Sequence, residues 1–324
     1  MKILITGING FAGSHLTQYL RDLEGVEIAG LDLAPPRADS TGGAAGTAIP
    51  VHCCDLTDAG AVRAALEEER PDAIIHLAAR AQVAGAWEEA AAIVSTNVGC
   101  TQALMQVVHD VVPEARVLLI SSSEVYGTVS PDRPITESFP LKPNNPYSAS
   151  KASQEYVALQ YFFAFGATVV VARPFNHIGP GQVGNFVVPS FASQLAEMEA
   201  GRREAVLRVG NLESRRDFTD VRDIVRAYYL LLTRGEPGQA YNVCSGNSYR
   251  ISDILQKLLE LSTAGPWIEN DPAQMRPSDA PVVVGDASRL KTLGDWEPAV
   301  PLEQSLKDAL DYWRERVSAR SSPI

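Results

Sequence analysis

A glycine-punctuated turn, set between a short apolar run and a helical pattern, most constrains how this chain can fold. Lys2–Thr6 is apolar and β-rich and is stopped by glycine, the pattern of a strand buried on both faces. Thr6-Gly7-Ile8-Asn9-Gly10-Phe11-Ala12-Gly13 follows, and helical periodicity runs over residues 10–23. A strand, a glycine turn and a helix in this order form the setting in which backbone binds a dinucleotide pyrophosphate. Gly7 and Gly10 permit a tight turn and close approach to phosphate, which the helix N-terminus attracts. Gly13 lets helix and strand pack closely. Asp32 ends a second apolar run at 26–31, where an acid would bind the adenosine ribose hydroxyls and repel a 2′-phosphate. Arg37 lies near enough to rescue a 2′-phosphate.

The same alternation continues. Strands are predicted over 49–53, 72–76, 116–121 and 168–172, and helices over 58–70, 88–112 and 145–165, with 34–50 as a loop. Strands alternating with helices imply an α/β Rossmann fold, a doubly wound parallel sheet. After residue 172 the pattern breaks and prolines become frequent. The organisation expected is a dinucleotide-binding domain over 1–172 and a smaller C-terminal substrate-binding α/β domain over 173–324, with some later segments returning to the first. The helix at 302–317 reads as a terminal surface helix.

Two groups of polar residues fall where such sheets bind ligands. Tyr147-Ser148-Ala149-Ser150-Lys151 lies on the long helix at 145–165, so Tyr147 and Lys151, four apart, share a face. A phenol beside an ammonium is a proton-transfer unit, because the lysine charge favours phenolate. Ser121-Ser122-Ser123-Glu124-Val125-Tyr126-Gly127 follows the fifth strand. His76 ends the fourth strand and reads as a packing residue.

Taken together, the glycine turn, the serine loop and the Tyr-Lys pair resemble the extended short-chain dehydrogenase/reductase family. The likeness runs from Lys2 to about Arg314. It implies that Ser122, four residues before Tyr126-Gly127, orients the reacting oxygen, with Ser123 as the alternative. Tyr147 would move the proton and Lys151 would hold the nicotinamide ribose. Asn9, Phe11, Asp55 with Leu56, and Leu77-Ala78-Ala79 would border NAD(H) or NADP(H). Arg173-Pro174-Phe175-Asn176-His177-Ile178-Gly179-Pro180-Gly181-Gln182 resembles the segment that opens the substrate domain in nucleotide-sugar members, with Asn176 on diphosphate or sugar. Arg216 and the Arg276 to Asp279 segment would clamp the nucleotide, since arginine's planar fork suits pyrophosphate.

Several segments resemble the branch that reduces the C4 ketone of GDP-4-keto-6-deoxy-D-mannose to GDP-D-rhamnose. The related GDP-mannose 4,6-dehydratases usually carry Gln-Asp where this chain has Phe11-Ala12, and more basic residues than Arg37 alone after the second strand. Glu124 pulls the other way, because dehydratases use a glutamate there to take the C5 proton. Dehydration, or another nucleotide-sugar epimerase or dehydratase activity, therefore stays an alternative. A non-catalytic dinucleotide-binding protein is a remote one, since such proteins tend to lose the Tyr or the Lys. The resemblance also implies a homodimer that pairs the helices at 88–112 and 145–165 into a four-helix bundle.

Bulk composition narrows the partners. The formal charge of −11 argues against nucleic-acid binding, which needs a basic face, while leaving room for local arginines on a GDP-sugar. Cys53, Cys54, Cys100 and Cys244 show no metal-ligand spacing and read as reduced, buried thiols, so no metal is expected. The start of the chain lacks the apolar core of a signal peptide, and no segment reads as a membrane span. Those features point to the cytoplasm.

Overall fold

The computed structural model describes residues 1–35, 49–81, 87–129, 133–274 and 280–319. Its first half runs β1 (Lys2–Thr6), α1 (Phe11–Arg21), β2 (Glu27–Asp32), β3 (Val51–Cys53), α2 (Ala59–Glu69), β4 (Ala73–His76), α3 (Ala90–Val111), β5 (Arg116–Ile120), α4 (Pro146–Phe165) and β6 (Val169–Pro174). Its second half runs β7 (Asn176–Ile178), α5 (Val187–Glu199), β8 (Val206–Val209), β9 (Arg215–Asp220), α6 (Val221–Arg234), β10 (Ala240–Val243), β11 (Ser248–Arg250), α7 (Ile251–Leu261), β12 (Trp267–Asn270), β13 (Val282–Val283), α8 (Ser288–Lys291) and α9 (Leu302–Ala319).

The main sheet has seven strands in the order β3-β2-β1-β4-β5-β6-β10, all parallel. Along β1, Ile3 and Ile5 enter one core with α1 and α6, while Leu4 enters the other with α2, α3 and α4. Both faces are therefore covered, which is why the strand sequences are continuously apolar. The chain winds outward from β1 to β3, then restarts at β4 on the other side of β1. That reversal opens a crevice above the strand ends between β1 and β4, where open α/β sheets bind ligands.

The chain leaves the sheet after Pro174 and comes back for α6 and β10. The smaller unit joins β7, β11 and β13 around β9, and pairs β8 with β12. Its own core holds Phe191, Leu207, Phe218, Ile254, Leu258 and Leu306.

Three sequence expectations change. The terminal helix α9 is a wall of this second core: Leu306 and Leu310 are fully buried, and the Ser305 hydroxyl donates to Asp220 (2.6 Å). Only Cys100 and Cys244 are buried; Cys53 is exposed and Cys54 half-buried, because β3 is the sheet's edge strand. Finally, α3 is long and apolar enough by composition to cross a membrane, with a mean hydropathy of 1.2 over its best stretch. Yet it buries Ile93, Leu104 and Met105 in protein, together with the polar Asn97 and Thr101.

Candidate active site at the strand ends

The glycine turn after β1 has no room for side chains. Gly7 sits at φ +72°, and a Cβ there would stand 3.0 Å from the Ala78 backbone. A Cβ on Gly13 would meet the Gly7 carbonyl oxygen at 2.4 Å and that of Ile8 at 2.6 Å. The turn thus lies against Leu77-Ala78-Ala79 at the end of β4. The α1 N-cap is Gly10, which offers no capping side chain, so the first-turn amides stay available to an anion. Asp32 accepts from the Asn9 amide (3.0 Å), and the Asn9 side chain donates to the Ala34 carbonyl (2.7 Å). The acid that would meet ribose also braces the turn. At the end of β3, Asp55 accepts from the Thr57 amide (2.9 Å) and hydroxyl (2.8 Å), and Leu56 is buried. A bare cradle at a helix N-terminus with an acid at the next strand end fits a dinucleotide. Arg37 lies outside the described residues. His76 is buried and shares hydrogen bonds with Thr6 (2.7 Å) and Thr101 (3.0 Å). Burial pushes its pKa down to about 3, so it is neutral and structural.

Ser122, Tyr147 and Lys151 come together across the ends of β5 and α4. Asn145 caps α4 by accepting from the Ser148 amide (2.8 Å), and Pro146 occupies the first turn. Tyr147 thereby opens the helix, beside the 3-10 turn Ser123–Tyr126. The Ser122 oxygen accepts from the Glu124 amide (3.2 Å), which leaves its own O–H to donate to the Tyr147 phenol. Asn145 also donates to the Glu124 carboxylate (3.3 Å), tying the helix start to the loop. Ser123 is buried next to Ser122.

One electrostatic expectation is reversed. Burial drives the Tyr147 phenol well above its usual range; the Ser122 hydrogen bond lowers it, and the Glu124 charge raises it further. Burial outweighs any help from Lys151, whose ammonium donates to the Ile120 carbonyl (2.7 Å). Burial lowers the pKa of Lys151 itself to about 8, with Glu155 opposing. The phenol therefore keeps its proton at neutral pH.

Behind this cluster runs a buried network that sequence spacing does not reveal. Glu155 accepts from Ser121 (2.5 Å) and from both arms of Arg173 (2.9 and 2.6 Å). Arg173 also donates to the Tyr126 hydroxyl (3.0 Å), which donates to Asn242 on β10 (2.7 Å). Such a bidentate pair is directional as well as strong. It holds β5, β6, α4 and β10 in one arrangement beneath Ser122. The available hint was Glu155, one helical turn beyond Lys151.

On the substrate side, Asn176 opens β7 and pairs in register with Phe218. Arg216 donates to the carbonyls of Arg215 and Ala280 (2.8 Å each). Arg276 and Asp279 lie outside the described residues. A cavity of about 230 Å³, lined by Phe218, Thr219, Ser245, Asn247 and Tyr249 among others, includes none of the candidate residues. The one His–carboxylate cluster among the described residues, His52 with Glu68 and Glu69, lies on the edge strand and its neighbouring helix. There Lys2 already pairs with Glu69 (3.0 Å).

Residues 4–309 match the family described as GDP-mannose 4,6 dehydratase. The chain belongs to this family of extended short-chain dehydrogenases/reductases. Among its relatives in the family's neighbourhood, GDP-6-deoxy-D-mannose reductase of Pseudomonas aeruginosa is 37% identical over 318 residues, 98% of each chain. GDP-6-deoxy-D-talose 4-dehydrogenase of Aggregatibacter actinomycetemcomitans is 33% identical over 90% of each. The solved structure of RMD from Pseudomonas aeruginosa complexed with NADPH superposes with a TM-score of 0.85 at 35% identity, covering 97% of this chain and 99% of that one.

Proposed function

We propose that the chain reduces the C4 ketone of GDP-4-keto-6-deoxy-D-mannose to GDP-D-rhamnose, using NADPH or NADH. The observation that carries this reading is the likeness to the Pseudomonas aeruginosa reductase along 98% of both chains. The geometry supports it: a buried, protonated phenol stands in hydrogen-bond contact with a serine hydroxyl. When bound, the nicotinamide supplies hydride to C4. The Ser122 hydroxyl orients the oxygen, and Tyr147 gives it a proton. Lys151 holds the nicotinamide ribose. Gly7, Gly10 and Gly13 admit the pyrophosphate, with Asn9 and Phe11 in the same turn. Asp32 takes the adenosine ribose, and Asp55, Leu56, Leu77, Ala78 and Ala79 border the rest. Asn176, Arg216, Arg276 and Asp279 engage the nucleotide sugar, with Ser123 and Glu124 at its reacting end. The protein works in the cytoplasm, where reduced dinucleotide is supplied, as a homodimer formed through α3 and α4.

Replacing Tyr147 by Phe tests the role of the acid. A loss of about 10²- to 10⁴-fold in kcat is expected, with GDP affinity held; near-normal turnover would remove Tyr147 from the reaction. Glu124 favours a second reading, dehydration of GDP-mannose, because its carboxylate stands close enough to raise the phenol's pKa. Incubation with GDP-mannose and NADP decides between them. A 4-keto-6-deoxy product that disappears in Glu124→Gln would replace the reductase assignment.

A further inference from the structure

We infer that the Phe11 ring couples the dinucleotide turn to the substrate loop, so that cofactor and nucleoside diphosphate each tighten the binding of the other. This rests on the reading of the glycine turn as cofactor site and of Asn176 as a substrate residue. Phe11 is the first residue of α1, directly after Gly10. Its backbone belongs to the cradle, but its ring crosses to β7, the strand that carries Asn176. There it lies parallel to the His177 ring, with centroids 5.9 Å apart and planes 3° apart. One turn along α1, His15 meets the same ring edge-on at 5.5 Å, and its Nε2–H donates to the Pro180 carbonyl (2.8 Å).

The following loop lies against this ring. A Cβ on Gly179 would make ordinary contact with Phe11 Cζ (3.7 Å) while meeting Val221 Cγ1 at 2.6 Å, and one on Gly181 would stand 3.8 Å from Phe11 Cδ2. Gly181 sits at φ +91°, a conformation that favours glycine. The buried Gln182 side chain donates to the His177 carbonyl (2.9 Å), and His177 Nδ1–H donates to the Phe175 carbonyl (3.0 Å), so hydrogen bonds tie this segment together. A pyrophosphate that settles on the α1 amides fixes Phe11. Through the parallel rings, that fixes His177 and the adjoining Asn176. Stacked aromatic pairs of this kind resist sliding apart without needing charge. Coupling between two sites is reciprocal, so the same contact must act in both directions. Phe11 and His177 are in this sense positioning residues.

The test is calorimetric titration of GDP into the full chain with and without saturating NADPH, and again with NADH. In the wild type, one of the dinucleotides should tighten GDP by about fivefold or more, and GDP should tighten that dinucleotide by the same factor. Phe11→Ala and His177→Ala should each bring the factor below about twofold, and the double variant should lose no more than either single one. Phe11→Tyr keeps the ring and should keep the factor, which separates coupling from a general loss of folding. An unchanged factor in Phe11→Ala, or independent binding of both ligands in the wild type, overturns the inference while leaving both sites assigned. Failure of the wild type to bind either dinucleotide overturns the site reading and the inference together.

Discussion

Lys151 shows how a single residue can be bound by its surroundings to a pH range. It is 3% exposed, and its ammonium donates to the Ile120 carbonyl (2.7 Å). Burial disfavours the charged form and lowers its pKa to about 8, while Glu155 works against that. The folded pKa is depressed, so the charge is present below about pH 8 and lost as pH rises through that value. Tyr147 moves in the opposite direction, since burial keeps its proton on. If the ammonium holds the nicotinamide ribose, kcat/KM for NADPH, which reports the free enzyme, must fall above about pH 8 with loss of one proton. Lys151→Gln should show a much lower value without that limb. A wild-type profile that stays flat to about pH 9.5, or the same limb in Lys151→Gln, would take the role away from Lys151.

At the scale of elements, α4 carries Tyr147 and Lys151, the proposed acid and ribose-holding lysine, and its cap sets where the helix starts. Asn145 accepts from the Ser148 amide (2.8 Å), and its own amide group donates to Glu124 (3.3 Å). Asn145→Ala should therefore cost about 1 kcal/mol of stability, measured by chemical denaturation. It should also lower kcat while Asn145→Asp, which keeps the cap, restores stability but not the Glu124 contact. Wild-type activity in Asn145→Asp would show that the link to Glu124 does nothing. The limits of α4 were legible in the sequence because Pro146 opens it and Gly166, at φ +72°, closes it. The β1–turn–α1 unit was legible for a similar reason: only glycine fits at 7 and 13. The Glu155–Arg173–Tyr126–Asn242 network was not, since its members meet through strand order: Tyr126 and Asn242 are 116 positions apart. Spacing did place Tyr147 and Lys151 on one face of α4. It could not say that a long, flexible amine would turn to the Ile120 carbonyl, because spacing does not set side-chain direction. Likewise α9 has polar residues enough to look like a surface helix, and only the packing of α5 and α7 against it explains Leu306 and Leu310.

At the scale of the whole molecule, the outer face of α3 and α4 is too apolar to remain in water without a reason. Tyr156 and Phe163, two turns apart on α4, are 66% and 77% exposed, and Val94 on α3 is 38% exposed. A twofold axis beside these helices would set the same patch against itself and make four helices from two. It would also explain why α3 is more apolar than its buried side requires. Burying each large side chain contributes roughly 1.5–3 kcal/mol, doubled by symmetry, while a stable interface covers about 1,200 Å² or more. Sedimentation should therefore give twice the chain mass of 34.9 kDa. Tyr156→Glu with Phe163→Glu should return it to a single chain, because two acids from each protomer would be forced together without partners. Val183→Glu, equally a loss of an exposed apolar residue (58%) but in the loop before α5, should leave the dimer intact. A wild-type chain that sediments as a monomer at micromolar concentration, or a double variant that remains paired, would leave this apolar face without a partner of its own kind. Since Tyr147 and Lys151 stand at the inner end of the helix that bears Tyr156 and Phe163, separating the protomers should also lower the temperature at which activity is lost.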